Sequence, residues 1–175
     1  MSETWPSTRA SVKLAFTAVM SALIAVTTMI AIPMPPPLST ITLAPIAIFV
    51  TAILMGPWIG LVATALGSGL GFLAGASIGT IAVLPAFFYV FLWGIIIARG
   101  PMGFGVGLLR KTNELVAMIV GVLIETVIFF VADWYLFGFA VALITLGTLV
   151  DLVYVPITYG ILKGLRRALN VKHLV

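Results

Sequence analysis

The stretch "IPMPPPLSTITLAPIAIF", Ile32 to Phe49, interrupts an otherwise apolar sequence with a cluster of prolines. Four of the five residues from 33 to 37 are proline, a residue that lacks the backbone donor and breaks helices. An apolar run at 10–32 precedes it and is long enough to cross a bilayer, which takes about 20 residues. The stretch therefore ends a first predicted span, and Pro45 falls in the first turn of a second, shorter helix, where proline is tolerated.

Composition places the whole chain in a membrane. Of its 175 residues 62% are hydrophobic and 8% are charged, with a mean hydropathy of +1.29, whereas soluble domains carry roughly 25% charged residues. We predict an all-α integral membrane protein with a single domain over 1–175 and no room for an ATPase of its own. The first apolar run exceeds the core of a signal peptide, about 7–15 residues, and is expected to be retained as a span.

The pattern of apolar runs predicts a compact bundle of about six transmembrane helices. "GPWIG" (Gly56–Gly60) reads as a tight turn between two of them, because Gly-Pro interrupts a helix. "GASIGT" (Gly75–Thr80) reads as a loop of small residues. Five or seven spans are the alternatives if the short second run is re-entrant. The predicted spans are approximately 10–32, 42–55, 58–74, 81–98, 114–136 and 141–165.

The basic residues predict the orientation of the bundle. With six spans, all nine Lys and Arg residues fall on one side, which the positive-inside rule assigns to the cytoplasm together with both termini. The pI near 9.8 then reflects a basic rim, and no nucleic-acid partner is predicted. The rim either serves only to set the topology or also contacts anionic lipids.

Several kinds of catalytic chemistry lack the residues they need. "LGSGLGF" (Leu66–Phe72) resembles the setting of an intramembrane serine nucleophile, but Ser68 would need a base, and the single histidine is His173 near the C-terminus. The chain has no cysteine, so thiolate catalysis and cysteine metal sites are excluded. We predict neither enzymatic activity nor a metal or cofactor site.

Two acidic residues lie deep within predicted spans. By helical rise, Glu125 is about 18 Å above Asn113 and Asp151 about 18 Å above Lys163, so the two carboxyl groups are expected at similar depth. Intramembrane acids are costly and indicate function, and no basic residue is predicted within reach. Three states of the two carboxyl groups are possible: both are protonated and hydrogen-bonded between helices, or they share one proton, or they are ionised opposite a cation or polar ligand.

Other polar and aromatic residues are candidates for the same site. Tyr89 is predicted about 15 Å up the fourth span, and Tyr154 shares a helical face with Asp151. Asp133 and Trp134 cluster at the outer end of the fifth span, where aromatic residues also serve as an interfacial belt. The Pro-rich stretch is predicted to be a stiff lid whose Leu38, Ser39 and Thr40 touch the ligand; alternatively, its prolines only end the first helix.

Small residues on the first span predict close helix contact. Ala18 and Ala22 are four residues apart, as are Ser21 and Ala25, and such spacing allows another helix to approach closely. The spacing alone leaves two interpretations open, packing within the protein and contact with a partner.

The motifs together resemble those of the substrate-binding S components of energy-coupling factor (ECF) vitamin transporters. The resemblance rests on "AFTAVMSALIAV", "IPMPPP", "LAPIAIFVTAILMGPWIGLVATALGSGLGFL" and "VDLVYVPITYGILKGLRRAL". It implies a six-helix bundle in a prokaryotic plasma membrane that captures a vitamin-like ligand near the outer face under a gating loop. It also implies a transmembrane coupling (T) subunit and two ABC ATPases as partners. The implied contact face for the coupling subunit is Ala18, Ser21, Ala22 and Ala25.

The resemblance leaves the substrate open. The tryptophan-rich motif of thiamine binders is absent, and "GPW" and "IPMP" are similar to those of riboflavin and pantothenate binders. Asp151 stands where a riboflavin-like site would be expected to have asparagine. Two acids favour a cationic or donor-rich ligand over a carboxylate, because like charges repel at low dielectric.

Two other classes of function fit the same residues. The first is a solitary secondary transporter of a small polar or cationic metabolite that uses Glu125 and Asp151 as a proton relay. The second is a purely structural membrane subunit, in which the two acids contribute only to stability.

Overall fold

The computed structural model describes residues 10–33, 40–81, 83 and 85–169. It is an all-α bundle, as the composition predicts. It also contains a small β-hairpin. Within these described residues, five helical segments are long and apolar enough to cross a membrane. The helices are α1 Ala10–Met29, α2 Ala44–Met55, α3 Pro57–Ser77, α4 Phe88–Leu109, α5 Glu114–Phe137, α6 Phe139–Thr145 and α7 Tyr154–Leu169.

The short helix α2 is the centre of the bundle. Ten of its twelve residues are buried, and it packs against α1, α3, α4 and α7. Its sequence is apolar on every face, which is the pattern of a helix surrounded by protein. At about 18 Å it is too short to span the hydrocarbon core alone, and the longer helices enclose it.

A two-stranded antiparallel hairpin replaces the end of the first predicted span. Strand β1, Ala31–Pro33, pairs with β2, Thr40–Thr42, with Ile32 opposite Ile41. The intervening Pro-rich residues lie outside the described residues. The hairpin joins α1 to α2, so its strands stand directly before the N-terminus of the central helix.

The turn at "GPWIG" has the predicted form. Gly56 has a φ of 93°, a conformation that glycine adopts at little cost, and Pro57 opens α3 at a position suited to proline. The Arg110 guanidinium closes this end by donating from Nη1 to the Ile53 and Leu54 carbonyls at 3.4 and 3.3 Å. These carbonyls belong to the last turn of α2, whose backbone acceptors have no partner within the helix.

Glycines set the spacing of α1, α3 and α4. A Cβ on Gly67 would lie 2.6 Å from the Ser21 carbonyl, and one on Gly71 the same distance from the Ala25 carbonyl. On the other side of α3, a Cβ on Gly60 would lie 2.7 Å from the Gly103 carbonyl. Helix backbones that touch in this way gain van der Waals contact, the main attraction between helices in lipid.

Helix α4 corrects the predicted fourth span, 81–98. It begins later, at Phe88, and continues through Gly100 and Pro101 to Leu109. Arg99 therefore lies in the middle of a membrane helix and not in a loop. The expectation that all basic residues line one face of the membrane is wrong for this residue.

The last membrane segment is not a uniform helix. Residues Leu146–Val153 form a 3-10 helix of eight residues between α6 and α7. This segment packs against α5 and carries Asp151. Because 3-10 helices repeat every three residues, it aligns side chains in a way that an α-helix cannot.

Candidate functional site

A buried ion pair joins α4 to α5 at the depth of the central helix. The Arg99 Nε donates to Glu125 Oε1 at 3.0 Å. Glu125 is 1% exposed and Arg99 9%, so both charges are withdrawn from solvent. The expectation that no basic residue could reach Glu125 is therefore wrong, because the helix carries Arg99 to the level of the acid.

The same arginine reaches the hairpin. Its Nη2 donates to the Thr42 Oγ1 at 3.3 Å, and Thr42 is the last residue of β2. One guanidinium thus ties the chain segment before α2 to the acid on α5. Sequence reasoning missed both Arg99 and Thr42. The apolar run from Met102 to Leu109 could have indicated that the helix continues.

Asp151 brings a second acid to this pair. It is buried and lies close enough to Glu125 and Arg99 for their charges to act on it. The predicted similar depth of Glu125 and Asp151 agrees with this arrangement. Tyr154 follows one 3-10 turn later, is also buried and experiences the charge of Asp151.

The cluster has buried polar atoms to which none of the described residues is hydrogen-bonded. The Arg99 Nη1 and the Glu125 Oε2 are buried and have no hydrogen-bond partner among the described residues. Buried polar groups in proteins are almost always paired, and leaving one unpaired costs about 1–3 kcal/mol or more for a charged group. A donor and an acceptor on adjacent side chains are therefore available to a ligand.

Other predicted site residues lie apart from this cluster. Tyr89 is exposed in the first turn of α4, about 15 Å along the helix from Arg99. It borders an apolar groove of about 300 Å³ between α4 and α5. Since Arg99 itself lies at the depth of Glu125, the predicted association of Tyr89 with the acids is wrong.

Asp133 and Trp134 lie at the far end of α5, about 12 Å from Glu125 along the helix. Asp133 accepts a hydrogen bond from the Thr145 hydroxyl. Trp134 is exposed and packs its ring against Phe130 and Phe139. Leu38 and Ser39 lie outside the described residues, and only the backbone of Thr40 is described.

The four small residues of α1 divide into two pairs. Ser21 is buried and Ala25 half-buried, and both meet the glycines of α3. Ala18 and Ala22 are exposed on the neighbouring flank of the helix, because at 3.6 residues per turn all four positions fall within an arc of about 100°. The predicted partner face is therefore partly covered by α3 at Ser21 and Ala25, and its accessible part is Ala18 and Ala22.

Comparison with known proteins identifies the family. A family model described as the S component of ECF-type riboflavin transporters matches residues 9–166. The chain belongs to this family of S components. No curated protein and no solved structure matched the chain.

An S component is a substrate-binding membrane subunit of an ECF transporter and not an enzyme. The Arg99–Glu125–Asp151 cluster combines burial, charge and unused hydrogen-bonding atoms.

Proposed function

We propose that this S component binds riboflavin at the Arg99–Glu125–Asp151 cluster and delivers it for import. The observation that carries the proposal is the unused donor and acceptor, Arg99 Nη1 and Glu125 Oε2. The pyrimidine edge of a flavin ring presents a carbonyl beside an N–H group. Such an edge offers an acceptor to a guanidinium and a donor to a carboxylate, and the family description supports the same ligand.

The ion pair alters the charge argument for the ligand. Arg99 neutralises one of the two acids, so the site no longer calls for a cationic ligand. A neutral, donor-rich ligand suits it better, because a buried carboxylate accepts hydrogen bonds strongly. Asp151 in place of an expected asparagine still offers an acceptor oxygen to such a ligand.

Binding is tested by titrating the purified protein with riboflavin and following the quenching of flavin fluorescence. Thiamine, biotin and pantothenate serve as competitors. We expect saturable riboflavin binding that none of them displaces, and about a tenfold or greater loss of affinity in Glu125→Gln. Binding of another vitamin in place of riboflavin would overturn the assignment of the ligand.

Delivery requires a coupling subunit and two ATPases, as the family implies. We expect riboflavin uptake in a riboflavin-auxotrophic host only when these partners are co-expressed. Uptake by the protein alone that a protonophore abolishes would instead establish a proton-coupled secondary transporter.

A further inference from the structure

The 3-10 helix Leu146–Val153 arranges polar side chains in a row. Runs of 3-10 helix longer than three or four residues are uncommon, and this one has eight. With three residues per turn, side chains three apart eclipse one another. Thr148 and Asp151 lie within the segment and Thr145 directly precedes it, so all three share one side. In an α-helix each step of three would turn the side chain by about 60°.

The row faces polar residues of α5. The Thr145 hydroxyl donates to Asp133, and the Thr148 and Thr126 hydroxyls lie 2.9 Å apart. At the inner end of the row, Asp151 lies close enough to Glu125 for the two charges to interact. The two elements thus enclose a polar seam, defined by Thr145, Thr148 and Asp151 on one side and Asp133, Thr126 and Glu125 on the other.

In the middle of the seam, the threonine hydroxyls have fewer protons to donate than they have close contacts with other oxygen atoms. Thr126 Oγ1 lies 2.9 Å from the Val122 carbonyl, Thr148 Oγ1 lies 2.9 Å from the Thr145 carbonyl, and the two hydroxyls lie 2.9 Å from each other. Two hydroxyls supply only two protons for these three contacts, while each oxygen has two lone pairs. The hydroxyl pair therefore has acceptor capacity that no described residue fills.

The acceptor excess continues inward to the acids. Glu125 Oε2 is buried and has no partner among the described residues, and Asp151 adds a second carboxyl group. The seam runs directly into the cluster that holds the ion pair. A group that enters alongside the ring would meet mainly acceptors, and hydroxyl groups are the uncharged donors that suit them.

We propose that the polar seam binds the hydroxylated chain of the ligand, with Thr126 and Thr148 as the residues that select for it. The inference rests on the proposed function, in which the flavin ring occupies the Arg99–Glu125 pair. Thr148 and Asp151 are one 3-10 turn apart, about 6 Å, a distance that hydroxyls on non-adjacent carbons of an extended chain can span, so two hydroxyls of one chain can donate to the two side chains. Ring recognition and chain recognition then reside on different residues.

The test compares riboflavin with lumiflavin, which has the same ring and a methyl group in place of the hydroxylated chain. The variants are Thr148→Val and Thr126→Val. Thr51→Val is the control, because Thr51 is buried like Thr126 but, among the described residues, its hydroxyl bonds only its own helix, at the Ala47 carbonyl. We expect each seam variant to lose about tenfold in riboflavin affinity with unchanged lumiflavin affinity, and the control to change neither.

Equal losses for both flavins would show that the two hydroxyls serve only helix packing, and no loss for either would also overturn the inference. If a valine variant does not fold, Thr148→Ser and Thr148→Ala replace it. Serine keeps the hydroxyl and should preserve the preference for riboflavin, while alanine should abolish it. Wild-type protein that binds neither flavin would refute the proposed function and the inference with it.

Discussion

Arg99 is costly in a membrane helix, and its neighbours explain why the protein retains it. A buried guanidinium cannot lose its proton, so it needs an acid and further acceptors at the same depth. Glu125 and Thr42 supply these contacts from two separate elements. The residue therefore organises three parts of the chain around one charge.

We predict strong coupling between Arg99 and Glu125. Glu125→Gln and Arg99→Gln should each destabilise the protein, because each leaves the partner charge buried, and the double variant should recover part of the loss. A coupling energy of about 1–3 kcal/mol is expected from a double-mutant cycle of thermal unfolding in detergent.

The Glu114–Arg166 pair provides the control for that cycle. It joins the start of α5 to α7 and is more exposed than the buried pair. Its coupling should stay at or below about 1 kcal/mol. Equal coupling in the two cycles would contradict the view that burial gives the Arg99–Glu125 pair its importance.

A second residue-scale prediction concerns the link to the hairpin. Thr42→Val removes the hydroxyl that accepts from Arg99 Nη2 while keeping a β-branched side chain. We expect amide hydrogen exchange to become about tenfold faster in Ile41 and in the residue at position 42, since hydrogen bonds to charged groups contribute about 1.5–3 kcal/mol. Thr27→Val, which removes a hydroxyl that bonds only its own helix, should leave the hairpin unchanged.

At the scale of elements, α1 and α3 are held together by contact between backbones. A Cβ on Gly67 would meet the Ser21 carbonyl and the Ile24 side chain at 2.6 and 2.7 Å, and neither can move without separating the helices. We predict that Gly67→Ala destabilises the bundle by about 1–3 kcal/mol, measured as a lower unfolding midpoint.

Gly160 is a position in the same protein at which we expect the opposite effect of alanine on stability. It lies inside α7, and a Cβ there would have no neighbour within 4 Å. Gly160→Ala should be neutral or raise stability by about 0.5–1 kcal/mol, because alanine favours the helix. A similar loss in both variants would show that the α1–α3 contact is not the cause.

Elements differ in how far their sequence determines them. The turn at Gly56 follows from Gly-Pro between two apolar runs, and the apolar runs themselves predict a membrane bundle. Helix α4 was misplaced because "ARGPM" resembles the end of a span, whereas neighbouring helices stabilise proline within it. The depth of Glu125 and Asp151 follows from helical rise, but the partner of Glu125 depends on where α4 begins and ends.

The 3-10 helix lay beyond sequence reasoning for a different reason. "LGTLVDLV" carries no local signal that separates a 3-10 helix from an α-helix, and packing against α5 contributes to the choice. The seam of threonines was missed with it, because Thr126 and Thr148 face each other only in this geometry. Which of the four small residues of α1 are covered likewise depends on where α3 lies, and the sequence alone does not determine this.

For the molecule as a whole, the exposed alanines of α1 provide a smooth surface at which a partner helix can pack. We predict that Ala18→Leu combined with Ala22→Leu prevents co-purification with the coupling subunit while riboflavin binding persists. Ala140→Leu, at another exposed position, is the control and should assemble normally. Retention of the complex by the double variant would place the coupling subunit elsewhere.

The distribution of charge predicts how the whole bundle is oriented. Within the described residues, Arg110 and Lys111 follow α4, and Lys163, Arg166 and Arg167 lie in the last turns of α7. These positions lie at one end of the bundle, for which we expect the cytoplasm. A fluorescent reporter fused after residue 175 should be active inside the cell, and alkaline phosphatase inserted at Gly79 should be active outside. The reverse pattern would refute this orientation.

The shortness of α2 has a consequence for how the protein is made. A helix of about 18 Å is too short to be inserted across the bilayer as an independent segment, because the hydrocarbon core is about 30 Å thick. The tight joint at Gly56 connects it directly to α3, which is long enough to cross. We therefore expect helix α2 to enter the bilayer together with α3 as a helical hairpin. On this view, the central helix of the bundle depends on its neighbour in the chain during biosynthesis.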